Sequence, residues 1–138
     1  MKKSIFLLAL VIVFSSCNNT QKIAEITPNE IPSGNYEIKS IQGEPVYKLS
    51  FDVDTSENKI SGKTNCNSYS GTFSLTNNKI EIGPLSATEM YCEENVMKVE
   101  HSLFEAFSNA KTFVYDNNMF VLSSETGIVL RAFRIVKK

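Results

Sequence analysis

The chain has no tryptophan, a single histidine (His101) and only three cysteines in 138 residues. Each shortage removes a class of chemistry. One histidine cannot supply a two-histidine zinc site, and three cysteines cannot close a four-cysteine one. Three are also too few for a disulfide-dense miniprotein. The sequence has no C-x-x-C pair, no G-x-S-x-G elbow and no phosphate-binding glycine loop, the usual signatures of dithiol redox, serine hydrolysis and nucleotide chemistry. An excess of one charge is missing too: 14 Lys and Arg face 15 Asp and Glu, net −1, which speaks against a nucleic-acid partner held through its phosphates. The longest apolar run, Ile5–Phe14, is half the about 20 residues of a membrane-spanning helix. What is present, 42% hydrophobic residues with nine Phe and five Tyr, suffices for the packed core of one domain.

Met1-Lys2-Lys3 ahead of Ile5–Phe14 has the cationic start and short apolar run of a secretory signal peptide. Ser15-Ser16-Cys17 follows directly. Small residues before a cysteine resemble the lipobox of bacterial lipoproteins, whose cysteine carries acyl chains, palmitate among them, and becomes the mature N-terminus. The expectation is a signal peptide over 1–16, lipidation at Cys17, a polar tether over 17–33 containing Pro28 and Pro32, and one domain over 34–138. Several acyl chains on one residue suffice for stable anchoring. Loss of Lys2 and Lys3 would leave 12 of the 14 basic residues against 15 acidic ones, so the expected membrane partner is engaged through the lipid anchor alone. Asn18, rather than Asp, follows the cysteine. By resemblance to Gram-negative sorting rules this points to the outer membrane, facing the periplasm.

From Gly34 onward the hydrophobic period is mostly two. Strands are expected around Tyr36–Ile41, Tyr47–Val53, Lys59–Thr64, Tyr69–Leu75, Lys79–Ile82, Phe113–Tyr115, Phe120–Leu122 and Ile128–Arg134. Asn77-Asn78 and Asn117-Asn118 are hairpin signals, because Asn tolerates positive φ. Only Glu93–Ala110 has helical spacing, with Val96, Val99, Leu103, Phe107 and Ala110 at intervals of three and four. Glu93 and Glu94 open it, where the helix dipole favours negative charge. The fold class predicted is α+β: a strongly curved, mostly antiparallel sheet or open barrel packed with one main helix over about 93–110.

Two segments go beyond pattern: Ile60-Ser61-Gly62-Lys63-Thr64-Asn65-Cys66-Asn67-Ser68-Tyr69-Ser70-Gly71-Thr72-Phe73, and Ile82–Cys92 with Thr88, Met90 and Cys92, followed by Glu100 on the helix. Together they resemble the META domain of the HslJ-like heat-inducible proteins, which carries a G-x-x-G-C-N-x-[FY]-x-G-x-[FY] segment, then T-x-M-x-C, then a helix with a Glu. Gly62, Cys66, Asn67, Tyr69, Gly71, Thr88, Met90, Cys92 and Glu100 are the residues that match. Asn65 stands in place of the family's Gly, Glu89 in place of a frequent Arg, and Tyr36 in place of Trp. The resemblance implies a place in the cell envelope, heat induction and tolerance of some antibiotics; it implies no particular reaction and no cofactor.

The residues themselves allow few reactive sites. With Cys17 lipidated, Cys66 and Cys92 form an even pair in an oxidising compartment, to be read as a structural disulfide or as two quiet thiols; the disulfide is the expectation. A nucleophilic cysteine would need His101 as base, but His101 lies about 200° around the helix from Leu103. Glu89, Glu93 and Glu94 lack the spacing of a calcium loop. Arg131, Arg134, Lys137 and Lys138 read as a solvated basic edge. The expected protein is therefore not an enzyme and uses no metal. It is a stress or interaction module for other envelope proteins, or else a carrier of a small apolar ligand in a cavity lined by Phe51, Phe73, Leu85, Phe113 and Phe120.

Overall fold

Alternating apolar and polar residues, interrupted by Asn and Gly at the turns, build ten strands and one helix over residues 30–136, the part of the chain that the computed structural model describes. The expected signal peptide, Cys17 and the tether up to residue 29 lie outside the described residues, as do Lys137 and Lys138. The elements are β1 (Gly34–Ile41), β2 (Glu44–Pro45), β3 (Ser50–Asp54), β4 (Lys59–Lys63), β5 (Ser68–Thr76), β6 (Lys79–Ile82), β7 (Ser86–Ala87), α1 (Glu94–Asn109), β8 (Thr112–Asp116), β9 (Met119–Ser123) and β10 (Ile128–Arg134).

Eight of the strands form an antiparallel ring in the order β1-β3-β4-β5-β6-β8-β9-β10, and β10 returns to β1 with Tyr36 opposite Arg134 and Ile41 opposite Leu130. The expected curved sheet is thus a closed barrel with one helix. Its narrowest seam joins β6 to β8, where Lys79 opposite Thr112 is the one register pair. Ile80 N–H donates to Lys111 O (3.0 Å) and Phe113 N–H to Asn78 O (2.9 Å) on either side of it. The two-residue strands β2 and β7 pair with β1 and β5.

The turns follow the expected chemistry. Asn117 and Asn118 both take positive φ (48° and 64°) between β8 and β9, the primed geometry whose twist matches a hairpin. Asn77 does the same alone between β5 and β6 (φ 56°). One expected strand is shortened. Tyr47 is exposed and Lys48 sits at φ 57°, so β3 begins at Ser50 although the apolar alternation starts at Tyr47. At the other end, Ile31 is buried and Tyr36 Oη donates to Pro32 O (2.6 Å), so the packed domain reaches ahead of Gly34 into the last residues of the expected tether.

The barrel interior is occupied by rings. Tyr36 stacks on Phe51 with centroids 5.3 Å apart, and Phe120 lies 5.5 Å from Tyr36 and 5.9 Å from Phe51. Phe113 packs on Phe120 at 6.4 Å. Helix α1 turns Leu103, Ala106 and Phe107 inward, and Phe107 meets Phe51 edge-on at 5.6 Å. Each such ring contributes about 1.5–3 kcal/mol by leaving water. Phe51, Phe113 and Phe120 therefore fill the space they were expected to line, with Phe73 buried beside them and Leu85 packed at the margin of the core.

Candidate functional site

The β4–β5 connection is a tight turn from Thr64 to Asn67. Thr64 N–H donates to Asn67 O (2.8 Å), and the Thr64 hydroxyl oxygen accepts Asn67 N–H (2.9 Å). A Ser or Thr hydroxyl gathering a nearby backbone amide is what lets such a turn hold without a glycine. Both side chains are thereby pointed inward, and both are buried.

Three segments converge on Asn67. Its Nδ2 donates to Glu100 Oε1 (2.9 Å) and to Met90 O (3.1 Å); its Oδ1 accepts the Thr88 hydroxyl (2.7 Å) and Met90 N–H (2.8 Å). An amide side chain has two N–H donors and two acceptor lone pairs, and all four are used. Glu100, on α1, takes the Thr64 hydroxyl on its other oxygen. The Thr88 hydroxyl oxygen also accepts Ser68 N–H (3.2 Å), while Thr88 N–H donates to Ser68 O (3.0 Å). Among the described residues no cation pairs with Glu100. Its burial rests on a hydroxyl and an amide, the condition under which an ionisable group can leave water.

Beside this node Cys66 and Cys92 form a disulfide with Cα atoms 6.0 Å apart. That separation lies inside the roughly 4.4–6.8 Å such a bond requires. Cys92 directly precedes Glu93, the N-cap of α1. The Glu93 side chain makes no capping bond, so the helix start is held by the covalent bond on one side and by Glu100 on the other. A cleft of about 210 Å³ lies against the node, bounded by Leu49, Thr64, Asn65, Asn95, Val96 and Val99.

The two motif glycines permit close packing. A Cβ on Gly62 would stand 2.6 Å from Tyr69 Oη and 2.9 Å from Ser50 O; one on Gly71 would stand 2.7 Å from Leu85 Cδ2. Tyr69 lies opposite Gly62 in the register of β4 and β5, and its ring crosses that bare position to pack edge-on against Phe104 at 5.3 Å. Burial, and secondarily Asp52, raises its phenol pKa well above the ordinary tyrosine range.

A family model described as META domain matches residues 24–137, most of the chain and all of the barrel. The chain belongs to the META domain family. It is 29% identical to the Heat shock protein HslJ of Escherichia coli (strain K12) over 94 residues, 67% of this chain and 66% of that protein, so just under two thirds of the relative's length is matched. Solved structures share the fold at low identity. An NMR structure of a protein from Burkholderia xenovorans superposes with a TM-score of 0.56 at 19% identity, covering 76% of this chain and 80% of that one. A crystal structure of a DUF4847 family protein from Bacteroides vulgatus does so with a TM-score of 0.54 at 16% identity, covering 83% and 97%.

Within this META domain, the motif residues expected from sequence divide by role. Asn67, Thr88, Glu100 and the backbone of Met90 form the node, Cys66 and Cys92 the adjoining bond, and Gly62, Tyr69 and Gly71 the close-packed strand pair. The Met90 side chain itself is exposed, as is neighbouring Tyr91. His101 adjoins Glu100 in sequence but is exposed. Glu89, Glu93 and Glu94 are exposed, and among the described residues no three His, Cys, Asp or Glu side chains are grouped closely enough to hold a metal ion. Thr64 is the node residue that motif reading missed. Its signal was its place three residues before Asn67, the spacing of a hydroxyl-stabilised turn.

Proposed function

We propose that the chain is a lipoprotein anchored through Cys17 to the periplasmic face of the outer membrane, where its META domain serves as a non-enzymatic interaction module for envelope proteins under stress. One observation carries the non-enzymatic part: the residues with the most chemical potential, Cys66, Cys92, Asn67, Thr88 and Glu100, are committed to one another and to backbone. Among the described residues neither cysteine is a free thiol, since Cys66 and Cys92 are bonded to each other, and a cysteine nucleophile needs a free thiolate with a base beside it. The disulfide is of the kind that persists in an oxidising compartment, which supports export. The anchor rests on the apolar run ending in Ser15-Ser16-Cys17. The ring-filled interior supports an interaction surface over carriage of an apolar ligand.

Labelled palmitate should enter the wild-type chain and not Cys17→Ala, and the labelled protein should fractionate with the outer membrane. Equal label in both would overturn the anchor. A loss of biological activity in His101→Ala at unchanged melting temperature would restore the enzyme reading.

A further inference from the structure

The wall of the barrel opens beyond the narrow seam between β6 and β8. Ile80 N–H donates to Lys111 O (3.0 Å), but the answering bond from Lys111 N–H to Ile80 O is not made, because Lys111 N–H donates to Ser123 O (2.8 Å). One residue earlier, Ala110 N–H turns back to Phe107 O (3.3 Å) and closes the end of α1. From there β6 runs on with no strand beside it. Gly83 N–H donates to Thr72 O (2.9 Å) and Glu81 lies opposite Ser74, so these residues address β5. Ile80 and Ile82, between them, address the gap. Ile80 O, Ile82 N–H and Ile82 O therefore lie along one free edge, and none has a partner among the described residues.

A groove of about 690 Å³ lies over this edge, a volume within the range of ligand sites. One bank carries Ser74, Thr76 and Glu81, the other Ser108, Ala110 and Lys111. The free groups run acceptor, donor, acceptor at strand spacing, which is the pattern that an extended polypeptide backbone completes. No aromatic side chain lines the groove, so it has no ring for a nucleobase to stack on. Its charges balance: Lys79 and Lys111 stand with Glu81 and Glu125, and among the described residues none of the four is in an ion pair. Such a lining discriminates little between acidic and basic segments. Pro84, two residues beyond Ile82, has no N–H to give. The edge thus offers about three main-chain bonds, a weak and reversible grip.

We propose that the free edge of β6 is a docking site for an extended polypeptide strand, held by its main chain and tolerant of its sequence, of the kind that unfolded envelope proteins expose. The proposal rests on the interaction-module reading above and gives it a place and a class of partner.

Amide hydrogen exchange of the full chain, followed residue by residue by NMR, is the measurement, with a blocked Thr-Val-Thr-Val-Thr peptide as the probe. In the free chain Ile80 should exchange slowly and Ile82 fast, since only the first is hydrogen-bonded. At saturating peptide Ile82 should slow by at least about tenfold, with Ile80 unchanged. Lys or Glu in place of the central Thr should change the affinity by less than about tenfold. N-methylating every peptide amide, or Ser108→Trp at unchanged melting temperature, should weaken it by at least about tenfold. An unprotected Ile82 at the highest soluble peptide concentration, a larger dependence on the central charge, or an N-methylated peptide that binds as well overturns the proposal. So does Ile82 already protected in the free chain: protection lost on dilution, with a dimeric mass, assigns the edge to a second copy, and protection that survives dilution assigns it to the chain's own segments. A photo-reactive residue at exposed Tyr91 separates the two readings. An envelope protein captured there while peptide leaves Ile82 unprotected overturns the docking edge and leaves the interaction module standing; neither capture nor protection overturns both.

Discussion

Asn67 and Glu100 lie 33 residues apart in sequence and meet side chain to side chain at 2.9 Å inside the domain. Through Asn67 the contact also holds Thr88 and the Met90 backbone, so one amide joins the β4–β5 turn, the segment ahead of the helix and the helix itself. That segment, 88–93, has no ladder of its own. Its position depends on the node and the disulfide.

Asn67→Ala should therefore cost more than a typical buried polar deletion. It leaves Glu100 Oε1, the donor hydrogen of the Thr88 hydroxyl and both Met90 backbone groups without partners, each worth about 1–3 kcal/mol when stranded, with water recovering part. A loss of roughly 3–5 kcal/mol is expected in urea unfolding. Asn67→Asp should be no better, because it sets a second carboxylate against Glu100 and removes both donors. A loss below about 0.5 kcal/mol for Asn67→Ala would show that the node is not what positions the segment.

Replacing Cys66 and Cys92 by Ser opens a loop with a sequence separation of 26. The chain-entropy estimate for that length is about 3.5 kcal/mol. A domain of this size converts such a loss to a fall in Tm of roughly 10–20 °C. Reducing agent should lower the wild-type Tm by a similar amount and leave the double variant unmoved.

What the sequence made legible is local. The Asn117-Asn118 turn could be read because its chemistry lies within two residues, and α1 because its stripe repeats at helical spacing. Glu100 stands in that stripe, between Val96 and Leu103, so its burial could be read too. Closure of the barrel could not: β1 and β10 pair across nearly the whole domain, and no short-range pattern encodes that choice. β2 and β7 are two residues each, too short for any period. At Tyr47 the alternation was right in phase but stopped by the left-handed turn at Lys48. Thr64 was hidden because its role comes from a turn, and the free edge of β6 because it is set by the Lys111 amide, which pairs with Ser123 on another strand.

The helix start offers a stabilising change. Glu93 has the extended backbone of an N-cap (φ −58°, ψ 147°) but contributes no side-chain bond to the first turn. Val96 N–H already donates to Asn95 Oδ1 (2.9 Å), so Glu93→Ser places a short hydroxyl within reach of the Asn95 amide, which typically gains about 0.5–1 kcal/mol at such a position. Thermal unfolding of the oxidised protein should show the increase; an unchanged or lower Tm would mean that the Asn95 side chain already caps the start.

Alkaline pH should unfold the domain through its buried phenols. Burial raises the pKa of Tyr36, aided by Tyr115 and opposed by Arg134, and burial raises that of Tyr69, aided by Asp52. Each phenol is neutral in the folded state and ionises near pH 10 once unfolded. Their contribution is complete below that value and is lost as pH rises above it toward the folded-state pKa. Stability measured from pH 8 to 11 should hold to about 10 and then fall, with a shallower fall in Tyr69→Phe.

Tyr69 and Gly62 should show coupled energetics. Tyr69 Oη is buried with no hydrogen-bond partner among the described residues, so Tyr69→Phe removes a desolvated hydroxyl rather than a bond and should be neutral or stabilising by up to about 1 kcal/mol. Gly62→Ala sets a Cβ 2.6 Å from that oxygen and 2.8 Å from the adjoining ring carbon. Overpacking of this kind costs about 1–3 kcal/mol. In the double variant the oxygen clash disappears and the ring-carbon clash stays, so the cost of Gly62→Ala should shrink without vanishing. A double-mutant cycle in urea should give a coupling of about 0.5 kcal/mol or more. Strict additivity would mean that Ser50 O, 2.9 Å from the same Cβ on the β3 side, sets the limit instead of the tyrosine.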